Sequence, residues 1–466
     1  MQRTVLKFGG TSVGSAEAIE RVARIVASTA GERLVVVSAT AGTTDALFAA
    51  VRSAAAGDLA AARARLDQLD ALHRAIAGQL GIAVPTELDG LRAQTLSLLE
   101  AVHLLREASP KAIDAIVVYG EHASAPLVSA TLRKHGLRSE SRSAEQLIVT
   151  DDVFGNASPL VSQTRERCAP LRELAAAGAV TVVTGYAGAT PDGVTTTLGR
   201  GGSDYSAAIF AAAIDATELR IYTDVSGVMS ADPRVVKDAR TLPVLSYLEA
   251  TELAYFGAKV LHPRTVLPAI EAGIPVRILN TFAPEEPGTT ISSFAPRDGS
   301  VVKATASLAG LGLINVAGAG MSGVPGFAAR VFDTCAAEKV SVLMISQASS
   351  ENSICFIVPS EAAQSLRAAL ERMLSRELAR HDVERVTVEA PVAIVSAVGE
   401  GMRGTPGVAA RVFTSLARAK VNVIAIAQGS SELNISLVVT ENDRENAVRA
   451  IHDEFHSGRA SVRLSA

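Results

Sequence analysis

Residues Gly320-Met321-Ser322-Gly323-Val324-Pro325-Gly326-Phe327-Ala328-Ala329-Arg330-Val331-Phe332 return 81 positions later as Gly401-Met402-Arg403-Gly404-Thr405-Pro406-Gly407-Val408-Ala409-Ala410-Arg411-Val412-Phe413. The match continues, with Gln347, Ser349, Ser350 and Glu351 answered by Gln428, Ser430, Ser431 and Glu432. Two copies are too few for a solenoid, whose units cover one another's apolar faces. They read as two related small modules packed together. Each copy has the same order: a strand (313–316; 392–398), a Gly-rich turn and a helix (327–338; 408–420). Two apolar strands follow (340–345 and 353–358; 421–427 and 434–439), then a closing helix (362–379; 445–455).

The N-terminal ~295 residues have a different grammar. Short β-branched runs at 5–8, 34–37, 115–118, 180–183, 219–222 and 276–278 read as strands buried on both faces, separated by helical stretches. That alternation predicts an α/β layered domain. Residues 59–105 read as a helical pair broken near Gly81 to Pro85, and the segment Ala283 to Gly288, followed by 295–300, reads as the exit into the repeats.

Composition narrows the function classes. The 466 residues are 48% apolar, 4% aromatic and without Trp, and 44 basic against 48 acidic residues give a formal charge of −4. Nothing there attracts nucleic acid or an anionic membrane, and stacking platforms for bases are scarce. Three distant cysteines make neither a disulfide framework nor a zinc site. The N-terminus lacks a signal peptide's apolar run, so a cytoplasmic location is expected.

Three constellations carry chemistry. Lys7-Phe8-Gly9-Gly10-Thr11-Ser12 ends a strand and precedes a helix that Ser15 can cap, bringing a compact positive charge beside backbone able to approach an anion. Thr195-Thr196-Thr197-Leu198-Gly199-Arg200-Gly201-Gly202-Ser203-Asp204 opens another helix. There Arg200 is suited to grip a carboxylate in bidentate fashion, and Asp204 to hold a metal or orient a lysine, with an ordinary loop and an N-capping Asp as the alternative. The third comprises Thr223-Asp224, Asp232-Pro233-Arg234 and Gly257-Ala258-Lys259-Val260-Leu261-His262-Pro263, whose cations join Lys7 and Arg200 as candidates to surround a polyphosphate. His262 reads as a structural residue at a helix start. Gly318 to Gly323 and Gly399 to Gly404 both fit G-x-G-x-x-G, but the next strands end in Gln347 and Gln428 rather than an acidic residue, which disfavours dinucleotide binding.

Together with Ser38 to Asp45 and Tyr119-Gly120-Glu121, these segments resemble the aspartokinases over nearly the whole chain. The resemblance implies an amino-acid-kinase αβα sandwich with an open, mainly parallel sheet, then two ferredoxin-like (βαββαβ) ACT domains. The expected boundaries are 1–295 for the kinase, 296–307 for a linker and strand, 308–385 for the first ACT module and 386–466 for the second. The strand near Val301 to Thr305 is expected to complete the second module.

The implied reaction is ATP plus L-aspartate giving ADP and 4-phospho-L-aspartate, the first step toward lysine, threonine, methionine and diaminopimelate. By resemblance, Lys7 contacts the transferring phosphoryl group and Asp204 organises the centre. Gly9, Gly10 and Ser12 cradle phosphate, while Thr223, Asp224, Arg234, Lys259 and Val260 contact the nucleotide, with Mg²⁺ on the phosphates. Arg200 clamps the aspartate α-carboxylate, Glu121 meets its ammonium, and Thr44 and Ser203 hydrogen-bond it. No ligand set for the metal is evident. Tyr186 stands where relatives often have Phe.

The loops bearing Gln347, Asn352 and Gln428 resemble those of threonine-sensitive members. Lysine-sensitive relatives often carry an acidic residue at the position of Leu343. Threonine is therefore the expected effector, with lysine or no effector, as in compatible-solute pathways, as alternatives. A single-activity enzyme that dimerises, or forms a dimer of dimers, through its ACT modules is expected. Two other classes stay open: an acyl-phosphate kinase for glutamate or N-acetylglutamate, and a non-catalytic amino-acid sensor.

Overall fold

The computed structural model describes residues 2–256, 263–293, 300–348 and 350–456. Contacts divide the chain into two compact units: 1–228 with 241–247 and 260–295, and 229–240 with 248–259 and 296–466. This division differs from a linear boundary at 295, because 229–240 and 248–259, which precede that boundary, fold with the repeats. No helix among the described residues is long and apolar enough to cross a membrane.

The first unit contains strands β1 (Arg3–Phe8), β2 (Glu32–Val37), β3 (Ser139–Arg142), β4 (Val180–Thr184), β5 (Ala187–Ala189), β6 (Thr195–Thr197), β7 (Glu218–Thr223), β8 (Val244–Ser246), β9 (Val276–Asn280) and β10 (Thr289–Ser292). Eight form one sheet in the order β3-β4-β2-β1-β7-β9-β10-β8, and β5 and β6 form a separate antiparallel pair. The sheet is parallel from β3 to β9, and the β9–β10 pairing is antiparallel. Strand β1 is buried on both faces, with Val5, Leu6 and Phe8 at 0% exposure, as the continuous apolar run requires. Successive strands leave β1 in opposite directions, so the crevice at its carboxyl end is the topological switch point where open α/β sheets bind ligands. Ser15 caps helix 16–28 by accepting from the Ala18 amide.

One expected strand is a helix. Residues 115–118 lie across helices Pro110–Val117 and Tyr119–Lys134. A short apolar run buried in a helical layer looks the same as a buried strand. The better signal was upstream: Ser109 accepts from the Ala112 amide, with Pro110 in the first turn. Helices 59–80 and 87–105 form the expected pair.

The second unit contains β11 (Ala304–Ala317), β12 (Met344–Gln347), β13 (Ser353–Pro359), β14 (Arg385–Val398), β15 (Ala425–Ala427) and β16 (Asn434–Thr440), in one antiparallel sheet ordered β12-β13-β11-β14-β16-β15. Its two long strands interleave the modules. Residues 304–308 of β11 pair with 394–398 of β14, completing the second module, while 311–317 pair with β13 in the first. Strands β12 and β15 start later than the apolar runs suggested, and the closing helix of the first copy breaks at Leu374 into 360–373 and 375–379.

The glycines of the two G-x-G-x-x-G runs serve this packing. A Cβ on Gly318 would lie 2.3 Å from the Asp382 carbonyl oxygen, and one on Gly399 would lie 2.5 Å from that of Val301. Only a bare backbone lets each turn press against the segment that leads into the neighbouring long strand.

Candidate active site

The carboxyl ends of β1 and β7 are tied together, because the Gly9 amide donates to the Tyr222 carbonyl at 3.2 Å. Gly10 packs flush on the loop after β2: a Cβ there would stand 2.9 Å from the Ala39 oxygen, and the Ala41 amide donates to the Gly10 carbonyl. Between these segments and the start of helix Gly202–Ala213 opens a cavity of about 580 Å³. Of the residues expected from the sequence, Lys7, Gly10, Thr44, Glu121, Arg200, Ser203 and Asp204 line it together.

Lys7 Nζ lies 2.6 Å from Asp204 Oδ1, with the two side chains only 10% and 18% exposed. An ion pair so enclosed is screened little by water. Gly199 and Gly201 carry the turn before this helix at φ 76° and 73°, the left-handed region that glycine tolerates best, and leave Arg200 exposed at the rim. No ion pair holds its guanidinium among the described residues.

Glu121 is the opposite case. It sits in the first turn of helix 119–134, fully enclosed, and burial pushes its carboxyl up to about 7 although the Ala39 amide donates to it. Its Oε2 has no hydrogen-bond partner among the described residues. The adjacent His122 donates to Glu145 at 2.7 Å, which holds that imidazole's pKa up and that carboxyl's down.

Other expected residues lie elsewhere. The Ser12 hydroxyl is buried 2.7 Å from that of Thr281 and does not line the cavity. Thr223 and Asp224 follow β7 at the sheet edge that carries Gly9, the Thr223 hydroxyl donating to Asp224. Arg234 belongs to the second unit, where its guanidinium is 83% exposed and pairs with Asp232. Lys259, Val260 and His262 lie outside the described residues. In the second unit Gln347 lines a cavity of about 420 Å³ with Met321, Val324, Phe327 and Glu351, the last accepting from the Gly323 amide. Asn352 instead accepts from the Ser350 hydroxyl, and Gln428 is exposed.

Sequence reasoning assigns no role to three contributors, Tyr186 among them only as a departure from relatives. Gly155 brings the loop 151–158 to the cavity wall. Tyr186 lines the cavity at φ 68°, rare for a bulky side chain, with its phenol raised to about 12 by burial. Asp114, at 1% exposure, accepts from the amides of Gly155 and Thr197 and from the Thr197 hydroxyl; burial raises its pKa and these three donors oppose the rise. The mistaken strand at 115–118 hid Asp114, which belongs to a helix.

A lysine–aspartate cleft at the switch point of an αβα sandwich, on a chain that also carries two interleaved βαββαβ modules, defines the class: an amino-acid-kinase fold joined to an ACT pair. The chain belongs to the amino acid kinase family, whose model matches residues 2–280, and the ACT domain model matches 314–374 and 395–455. It is similar to the chloroplastic bifunctional aspartokinase/homoserine dehydrogenase 2 of Arabidopsis thaliana, 37% identical over 99% of this chain and 51% of that protein. Chloroplastic aspartokinase 3 of the same plant is 33% identical over 97% of this chain and 81% of its own length. The chain thus spans about half the length of the bifunctional relatives it matches. The crystal structure of Escherichia coli aspartokinase III in complex with aspartate and ADP aligns with TM-score 0.81 and 32% identity, over 97% of this chain and 99% of that one.

Proposed function

We propose that this chain transfers the γ-phosphoryl group of ATP to the side-chain carboxylate of L-aspartate, releasing ADP and 4-phospho-L-aspartate. The observation that carries the reading is the Lys7–Asp204 pair sharing one cleft with Arg200 and with the Glu121 carboxyl, whose Oε2 has no hydrogen-bond partner among the described residues. The relatives named aspartokinases, and the E. coli enzyme crystallised with aspartate and ADP, support the same substrates.

The acceptor carboxylate is ionised at neutral pH, so no general base is needed. The obstacle is repulsion between two anions, and fixed cations at the point of transfer remove it. In this reading Lys7 meets the transferring phosphoryl oxygens, and Asp204 holds the ammonium in place. Arg200 grips the α-carboxylate of aspartate at the rim. Glu121 receives the α-ammonium; that contact restores its ionised form and satisfies Oε2. Thr44 and Ser203 supply hydroxyls to the bound amino acid. Gly9 and Gly10, which follow Lys7 at the carboxyl end of β1, would cradle phosphate with their backbone. Thr223 and Asp224, at the same sheet edge, serve the nucleotide. Asp204 offers the oxygen ligand that suits magnesium, which when bound neutralises charge on the phosphate oxygens.

For regulation, threonine is the proposed effector, bound at the cavity beside Gln347. Lysine is the alternative, and the E. coli enzyme has been crystallised with lysine and aspartate in its T-state. Assembly into a dimer through the ACT modules is supported by Ile345 and Ile426, half exposed on the edge strands β12 and β15. The test is ADP release by the full chain with Mg-ATP and, in turn, aspartate, glutamate and N-acetylglutamate, then with threonine and lysine added singly and together. Aspartate alone should support turnover and threonine should inhibit it; turnover with another acid only would refute the substrate assignment.

A further inference from the structure

The loop 151–158 forms part of the cleft wall yet contributes no charge to the cavity. It is held from two sides. Inside, the Asp114 carboxylate accepts from the Gly155 amide at 2.8 Å and from the Thr197 amide at 2.9 Å with one oxygen, and from the Thr197 hydroxyl at 2.8 Å with the other. Outside, the Arg264 guanidinium donates to Asn156 Oδ1 at 2.8 Å and Ser158 Oγ at 3.1 Å, and lies over the Tyr205 ring at 5.6 Å. All of these residues belong to the first unit. The loop so held is flush with the turn that carries Arg200: a Cβ on Gly199 would sit 2.8 Å from Asn156 Oδ1 and 3.2 Å from the Gly155 carbonyl oxygen.

We propose that Asp114 and Arg264 are positioning residues for the acid-binding half of the cleft, clamping loop 151–158 against β6 and Gly199 so that Arg200 is presented at a fixed place. The argument is one of connectivity. Thr197 lies three residues before Arg200, and the same carboxylate oxygen that holds Thr197 also holds Gly155. Removing Asp114 leaves the buried amide and hydroxyl of Thr197 without this acceptor and frees the part-buried Gly155 amide to turn to water, so the strain falls on the Thr197 side of the turn and loosens the loop. Lys7 and Gly9 are on β1 and its extension and share none of these bonds, so the phosphoryl half should be spared.

This inference rests on the proposed acceptor site, and its test separates the two. Wild-type turnover on the acid panel tests the activity. The clamp is tested by comparing variants on whichever acid the wild type uses. Asp114→Ala should raise the KM for that acid at least tenfold while leaving the KM for ATP within twofold. Asp114→Asn keeps an acceptor for both amides and can donate to the Thr197 hydroxyl, so it should return the acid KM to within about threefold of wild type. If Asp114→Ala does not fold, Thr197→Val, which removes one of the three inner bonds, and Arg264→Gln, which weakens the outer arm, should show the same selective rise at three- to tenfold. An acid KM unchanged in these variants, equal rises in both KM values, or an Asp114→Asn variant as impaired as Asp114→Ala would overturn the proposal.

Discussion

The cleft of the first unit and the cavity beside Gln347 in the second treat polar groups in opposite ways. Among the described residues the cleft gathers charges left partly unsatisfied: Arg200 has no ion-pair partner, Glu121 is buried with one oxygen unpartnered, and Lys7 pairs with one carboxylate. The module cavity is lined by Met321, Val324, Phe327 and glycines, and its one acid, Glu351, is already satisfied by the Gly323 amide. Such charge is costly to fold around and valuable where charge must be transferred. A mainly apolar cavity with one amide side chain and one acid suits a small ligand held reversibly.

The two modules themselves diverge in the same spirit. Glu432 accepts from the Gly404 amide as Glu351 does from that of Gly323, so the turn chemistry is duplicated. The second module, however, is joined by the segments 229–240 and 248–259. Ala231, Val235 and Val236 join its apolar core, Ser230 hydrogen-bonds His452 at 3.0 Å, and Asn434 donates to Glu252. The first module's core comes from its own residues, with Tyr255 donating to the Leu343 carbonyl at its margin. A sequence repeat therefore need not be a repeat of function.

The contrast can be broken most forcefully at Lys7. Lys7→Ala should lower kcat by about three orders of magnitude, the scale seen when a preorganised charge-stabilising group is removed, with a cooperative thermal transition retained. A rate within threefold of wild type would remove the cleft from the chemistry.

Next comes Glu121→Gln. With the carboxyl at about 7 in the folded chain against 4.5 unfolded, the folded state keeps a proton that the unfolded state gives up between those values. The associated stability is intact below pH 4.5 and lost as pH rises through 7, a decline on the order of 3 kcal/mol. The Gln variant lacks that decline, so denaturant titrations should find it more stable than wild type at pH 8, while its KM for aspartate rises at least tenfold. Parallel stability profiles would show that Glu121 is not buried as a strained acid.

In the module cavity, Gln347→Ala should weaken inhibition by threonine roughly tenfold, about one hydrogen bond's worth, without altering the uninhibited rate. The smallest effect belongs to Gln428→Ala, exposed in the second module, which should shift inhibition less than twofold. Equal effects from the two glutamines would erase the asymmetry.

Much of this was legible in the sequence, and the failures have causes. Lys7 and Arg200 stand out as cations in glycine-rich stretches after strands, Asp204 has an N-capping alternative, and the resemblance is what singles out Glu121. Ser12 misled because a hydroxyl near a Gly-rich turn looks the same whether it faces ligand or, as here, Thr281. Asp114 was invisible because its partners lie 41 and 83 residues away and its helix had been read as a strand. The packing of 229–240 and 248–259 with the repeats depends on long-range contacts that no local pattern encodes.

The central claim is that the cleft makes an acyl phosphate on aspartate. Incubating the full chain with Mg-ATP, L-aspartate and hydroxylamine tests it directly, since hydroxylamine intercepts acyl phosphates as hydroxamates. The account predicts aspartyl hydroxamate accumulating in step with ADP. ADP release without hydroxamate, or no aspartate-dependent ADP at all, would contradict it.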